Sequence, residues 1–395
     1  MTVDSEHNDA ILVCHGELSS NGDEVTCSAE IDGAGLSYCF PAASRVQLRG
    51  ELFLAVALLH AMAAGRALVF TGELPLDSKL VGNLPIIQRL LKQWNPHLTL
   101  VEIRCAQLDV CGSDDVLSSF SGGVDSSFTL WDHLQEIDKL LTVDSFDSGL
   151  HTDQFDALAA KVRKTARELG KEFIAVRSNV QQVCLKLRLS WNYVHGPFLC
   201  LLAASLGVKR FYIPASYTYA DLKPWGSHPL LDPMWSTSAT EIIHDGAHMR
   251  RSEKTERLSR HPILLGQLQV CWDSQVENCG RCSKCARTLL VLRTLGVDNA
   301  PFPASSPKVL MHLVGLSSDL GVSFIRDLII FFEDQGRHDL SAPLVRRLRR
   351  YRLKTALARA RRIWFGPAVV ARYRRFADRN KVLERVVIID PDNEV

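Results

Sequence analysis

Apolar and polar residues alternate over short stretches at the start of the chain, and this period of two predicts strands at residues 11–17, 24–31 and 36–40. Asn21-Gly22 and Asp32-Gly33 have the composition of hairpin turns between them. The period then changes. Residues 51–64 carry apolar side chains at helical spacing and are closed by Gly65, and residues 67–71 read as a strand. Residues 85–94 read as a helix with Pro85 at its first position, and 98–103 as a further strand. From residue 116 to about 270 the two patterns alternate. Strands are expected over 116–120, 140–145, 172–178 and 210–214, with helices from 128 through 134, over 153–170 and over 196–206. Such alternation predicts an α/β fold, a parallel sheet covered by helices. Beyond it the pattern is helical. The expected organisation is an N-terminal α+β domain (1–112), an α/β domain (113–300) and a helical, basic C-terminal extension (301–395).

A chain of 395 residues, 46% hydrophobic and 23% charged, has the make-up of an ordinary globular protein with more than one structural unit. Its net charge of +2 says nothing about partners, but the distribution does. Residues 346–375 hold twelve basic residues and no acidic one, with Leu348, Leu353, Leu357 and Trp364 running through them at helical spacing. This is a basic amphipathic helix. It would suit a nucleic acid, an acidic protein or a membrane surface; a solvated helix packed on its own domain is the plainer alternative. No segment combines a basic start with an apolar core, and no apolar run is long enough to cross a bilayer, so the cytoplasm is the expected location.

Three stretches carry candidate chemistry. The first is S-G-G-V-D-S-S at residues 121–127, between a strand and a helix. Gly122 and Gly123 let the backbone approach a ligand, and the first amides of the helix, around Val124, point unpaired hydrogens at it. This makes an anion site. Ser121, Ser126 and Ser127 add hydroxyl donors. Asp125 would be repelled by bare phosphate and makes sense where magnesium bridges the two. No G-K-S/T follows, so this is not a Walker loop. A glycine turn that merely starts a helix is the competing reading.

The second stretch, residues 215–236, mixes aromatic residues, prolines and isolated charges without periodicity, which predicts a long functional loop. Tyr217, Tyr219, Asp221, Lys223, Trp225 and His228 are its candidates for gripping a small, flat, hydrogen-bonding substrate, unless the loop simply packs its own rings. The third is the set Cys271, Cys279, Cys282 and Cys285 within a chain of 11 cysteines. The C-x2-C steps aim four thiolates at one ion, which implies a closed, structural zinc site; an iron–sulfur cluster is the other occupant thiolates allow. Lys284 and Arg287 flank it and could face phosphate or solvent. His195 stands where it could donate to phosphate or cap the helix expected at 196.

S-G-G-x-D-S directly after a strand resembles the signature of the PP-loop ATP pyrophosphatases, the superfamily of asparagine synthetase, GMP synthetase and tRNA thiolation enzymes. With C-G-x-C-x-x-C following downstream, the chain is similar to the branch of 7-cyano-7-deazaguanine synthase. The resemblance covers about residues 116–295. It implies an adenine nucleotide alpha hydrolase-like domain that binds ATP and magnesium, with Asp125, Ser126 and Ser121 at the catalytic loop. It further implies that residues after the second strand, Asp144 and Ser145, pack on adenine or ribose. A loop where 215–236 stands reads the substrate in that branch, but its residues differ here.

The activity implied is a synthase or ligase reaction. ATP adenylates a carboxylate or amide-like oxygen of a small, cyclic substrate, pyrophosphate leaves, and ammonia or a sulfur donor displaces AMP. One rival is a sulfurtransferase thiolating a base or RNA, in which Cys105 or Cys111 would carry sulfur. The other is a nucleotide-binding defence or regulatory component that docks through its basic helix.

Overall fold

The computed structural model describes residues 10–72, 74–109, 111–144, 152–271, 277–316 and 319–377. Strands β1 (Ile11–Ser20), β2 (Glu24–Ile31) and β3 (Ala34–Pro41) form an antiparallel meander, with Gly22 and Gly33 at positive φ in the turns. Alternate residues of β3, Ala34, Leu36, Tyr38 and Phe40, are buried, as a period of two requires. Helix α1 (Glu51–Ala64) is buried on nearly every side, which is the mark of a core helix. Strands β4 (Leu68–Phe70) and β5 (Ile103–Arg104) then extend the sheet beside β1.

Two expectations in this part need correction. Helix α2 (Ser78–Trp94) starts well before Pro85, because Asp77 caps it by accepting from the amides of Lys79 and Leu80, and the proline sits inside. The strand expected over 98–103 is reduced to β5. Val101 finds its backbone partners in the side chain of Gln88, which accepts from its amide at 2.8 Å and donates to its carbonyl at 3.1 Å.

The second part alternates as the sequence predicts. Strand β6 (Val116–Ser119) leads to α3 (Val124–Asp132), β7 (Lys139–Asp144), α4 (Thr152–Glu168) and β8 (Glu172–Ser178). Helices α5 (Val180–Lys186) and α6 (Trp191–Ser205) precede β9 (Arg210–Pro214) and β10 (Glu241–Asp245), and α7 (Arg251–Leu258) and α8 (Pro262–Gly266) follow. The five strands β6 to β10 are parallel. Strand order runs β10-β9-β6-β7-β8, so the chain moves outward from β6 on one side and returns to its other side with β9. The reversal between β6 and β9 opens a crevice at the carboxyl ends of the strands, which is where such sheets bind ligands.

The sheet does not end there. Strand β8 pairs antiparallel with β3 through Tyr38↔Ser178 and Cys39↔Arg177, making one mostly parallel sheet of ten strands. The Asn179 side chain fastens the join, accepting from the Ser37 amide and donating to the Gly35 carbonyl, both at 2.9 Å. One apolar core takes in Ile11, Phe53, Leu117, Val176 and Phe198, so residues on both sides of position 112 share it. The remaining helices, α9 (Ser283–Thr294), α10 (Pro307–Leu313), α11 (Asp319–Asp334) and α12 (His338–Ala377), build a separate core from Leu289, Leu310, Ile325, Phe332 and Leu344. Among the described residues no helix is long and apolar enough to cross a membrane.

Helix α6 touches the 215–236 loop at its narrowest point. Gly226 donates its amide to Asn192 at 2.7 Å, and a Cβ placed on Gly196 would stand 2.2 Å from the Gly226 carbonyl oxygen. Gly196→Ala should therefore destabilise the chain by about 1–3 kcal/mol. Urea denaturation measures this, and an unchanged midpoint would show that the loop gives way freely.

Candidate active site

At the end of β6 the chain turns through Gly122, whose φ of 72° only glycine adopts without strain, and enters α3. The loop is internally bonded. The Ser121 amide donates to Ser126 Oγ at 3.2 Å, Ser126 Oγ donates to the Gly123 carbonyl at 3.2 Å, and the two hydroxyls lie 3.3 Å apart. Val124 is buried among Phe120 and Phe128, and Ser127 is buried with its amide bound to Gly123. Ser121, Gly123, Asp125 and Ser126 face a cavity of about 270 Å³; Gly122, Val124 and Ser127 shape the turn from behind it.

The opposite wall is apolar, from Val143, Phe155, Leu158 and Leu199. Asp144 lines the same cavity, and burial raises its carboxyl above the ordinary aspartate value. Ser145 lies outside the described residues. His195 also lines it, but from inside α6, which begins at Trp191 and not at 196. Burial lowers its pKa and favours a neutral ring, whose Nδ1 donates to the Trp191 carbonyl at 3.2 Å. That tautomer leaves Nε2 as an acceptor, so His195 does not offer phosphate a proton.

The main electrostatic feature was invisible to spacing. Asp125 is gripped by Arg251 and by Lys254, the latter at 3.2 Å, both on α7. Burial opposes the aspartate's charge, yet Arg251, Lys254 and then Lys284 hold its carboxyl below the ordinary range. Arg287 lies 4.0 Å over the Phe324 ring, and burial together with Arg251 pulls its guanidinium down to about 10. The Nε atoms of Arg251 and Arg287 are buried and donate to nothing among the described residues. Four cations, Arg251, Lys254, Lys284 and Arg287, thus gather where Asp125 and Asp327 are the neighbouring carboxylates. Surplus charge of this kind, partly removed from water, calls for an anion.

A second cleft of about 440 Å³ adjoins the first, and Ser216 and Arg251 line both. Tyr217, Tyr219 and Asp221 form one side of it; Phe324, Arg326 and Asp327 of α11 form another. Tyr217 stacks on Phe324 at 5.7 Å, burial pushes its phenol up to about 12, and Arg326 donates to Asp221 at 2.5 Å. Lys223 stands 5.7 Å over the Tyr217 ring, and Trp225 meets Tyr217 and His195 edge-on, so these two back the cleft. His228 is elsewhere. It packs on Trp94 at 4.9 Å, and its Nδ1 accepts from the Leu230 amide. The second half of the loop is tied down by buried Asp232, which accepts from the His228 amide and Ser227 Oγ and pairs with His244 at 2.7 Å. One half of the loop therefore shapes the cleft and the other half is core.

Behind the first cavity stand the four cysteines, their sulfurs all within 4.8 Å of one another. Amides of Arg281 and Cys282 donate to Cys279 Sγ, and that of Cys285 to Cys282 Sγ. Gly280 makes the knuckle at φ 67°, and Asn278 braces it by bonding Leu268, Val270 and Pro301. The cluster could hold zinc: four sulfurs at this separation match tetrahedral ligation by thiolates. Cys271 and Lys284 bring the knot into contact with the cavity wall. Cys105 and Cys111 stand apart. Gly112 packs on Gly207 and Ala239, the residues leading into β9 and β10, so Cys111 is at the amino end of strands whose carboxyl ends carry the loop. At about 3.3 Å per residue, β6 alone separates the two ends by roughly 15 Å.

Comparison with known protein families, with curated proteins and with solved structures returns no match to this chain.

If zinc sits in the knot, purified protein should contain about one ion per chain. Cys282→Ser should remove most of it and lower the thermal midpoint, read by elemental analysis and calorimetry. Metal content equal in wild type and variant would dissociate the knot from metal binding.

Proposed function

We propose that this chain is an ATP pyrophosphatase that adenylates a small substrate. The observation that carries the reading is the surplus of cations around a serine–glycine loop at the switch point of a parallel sheet. In this reading the adenine lies against Phe155, Leu158 and Val143, with Asp144 toward the ribose, and the phosphates rest on the amides of Gly123 and α3. Arg251, Lys254 and Lys284 complete the phosphate cradle.

Asp125 can take part in holding magnesium only where phosphate draws Arg251 or Lys254 away, since both of its oxygens are engaged by them. Magnesium, when bound, would neutralise charge on the departing pyrophosphate. The substrate occupies the adjoining cleft, its oxygen presented past Ser216 and Arg251. That oxygen forms a bond to the α-phosphorus, the bond from the α-phosphorus to its bridging oxygen breaks, and pyrophosphate carries off the electron pair. Arg251, shared by both cavities, is placed to stabilise charge on the α-phosphoryl oxygens as it develops. An amine or sulfur nucleophile then displaces AMP. No side-chain nucleophile is needed for the first step.

The test is pyrophosphate release by zinc-replete protein against a panel of carboxylated heterocycles and amino acids. Substrate-dependent release should fall by more than about 100-fold in Asp125→Ala and in Arg251→Ala. Wild-type protein that binds ATP yet releases no pyrophosphate with any substrate would overturn the reading. A sulfur-relay version places sulfur on Cys105 or Cys111; Cys111 stands at the far end of the strands and Cys105 follows β5 at the opposite edge of the sheet from β10, placements that do not favour it. The paired variant Cys105→Ser with Cys111→Ser should keep full turnover, measured in the same assay.

A further inference from the structure

Helix α12 runs for 40 residues, but its inward packing ends early. Leu340, Leu344 and Leu348 are buried against the C-terminal core; of the side chains described after Leu348, which are those of residues 349–358 and 360, none is buried. From Leu348 to Ala377 the helix would extend about 40 Å at 1.5 Å per residue. Leu353 and Leu357 are 61% and 53% exposed. At 100° per residue they lie about 140° and 180° round the helix from Leu348, facing away from the body and one turn from each other. The sequence keeps the same spacing at Ala360 and Trp364.

Charge surrounds these leucines. Arg349 and Arg350 come one turn before Leu353 on its side of the helix, and Arg352 and Lys354 fall on the two borders; all four are exposed. Of 46 basic and 44 acidic residues in the chain, residues 346–375 contain twelve basic and no acidic ones, so the remainder is net acidic. Like charges at this density repel along a helix, and a helix without a packed face is marginal in water. A surface that supplies negative charge and an apolar layer together would relieve both costs.

We propose that the distal part of α12 lies on an anionic lipid bilayer, with Leu353 and Leu357 among the acyl chains and the bordering cations at the lipid phosphates. Nucleic acid would use the cations but has no use for two leucines between them. A second copy of the same face would press arginines against arginines. The helix lies along the surface and does not cross it, in keeping with its charge.

The experiment is co-sedimentation of the full chain with vesicles of phosphatidylcholine containing about 30% phosphatidylglycerol, with pure phosphatidylcholine vesicles, and with duplex DNA and hairpin RNA, at about 0.05 M salt. Binding should be confined to the phosphatidylglycerol vesicles. It should weaken more than about tenfold in Leu353→Asp with Leu357→Asp, and more than about fivefold for each reversal of Arg349 or Arg350 to Glu. These side chains are exposed, so far-ultraviolet circular dichroism of the variants should match wild type. No sedimentation with anionic vesicles, or sedimentation indifferent to the leucine pair, would overturn the proposal. Nucleic-acid binding that survives the leucine variant would assign the helix to nucleic acid instead.

Discussion

A carboxylate outnumbered by cations governs the architecture of this protein's crevice. Asp125 and Asp327 are the carboxylates set among Arg251, Lys254, Lys284 and Arg287, and the depressed pKa of Asp125 records how strongly Arg251, Lys254 and Lys284 act on it. The elements around it follow from that imbalance. Helix α7 presents Arg251 and Lys254 one turn apart, Lys254 is 3% exposed and also donates to the Ala215 carbonyl, and α11 closes over Arg287 with Phe324. Gathering like charges this far from water is costly unless opposite charge stands close by. The same residues join two cavities, and any ligand charge placed in one is felt in the other through Arg251.

The strands and the loop were legible because short-range rules decide them. Glu24–Ile31, Glu172–Ser178 and Arg210–Pro214 form as the alternation and β-branched content indicate, and the S-G-G-V-D-S-S turn sits between strand and helix as its glycines require. The four cysteines converge for the same local reason. Errors arose where long-range partners intervene. Val101 leaves its strand for Gln88, α2 starts at the Asp77 cap despite Pro85, and β10 is found only by its pairing with β9. The site suffered most. Arg251 and Lys254 belong to R-R-S-E-K-T-E-R-L, whose composition is that of a solvated helix, and nothing local distinguishes a lysine bound for solvent from one that turns onto Asp125. His228 went the other way, a polar residue in an aromatic loop that the fold spends on packing against Trp94.

The 215–236 loop illustrates how one segment can serve two ends. Asp232 is a buried acceptor for Ser227, His228 and His244 and fixes the half of the run that packs as core, while the stack of Tyr217 on Phe324 holds the half that walls the cleft. Rings placed on such walls need no further ordering when a ligand arrives, so less entropy is lost on binding. The glycine contact between Gly196 and Gly226 sets the distance from the loop to α6, and with it the width of the cavity that His195 and Leu199 line.

The union of β3 with β8 bears on how the chain is made as well as how it is held. Ser37 and Asn179 meet across 142 positions of sequence, and every strand of the parallel unit up to β8 must be laid down before β3 can be covered. During synthesis the meander emerges first and carries an open edge until its distant partner leaves the ribosome, a long-range closure that slows folding and leaves a strand exposed to unwanted pairing. Strand β3, whose Ala34, Leu36, Tyr38 and Phe40 are buried in the finished protein, is therefore open to such pairing while the chain is being made.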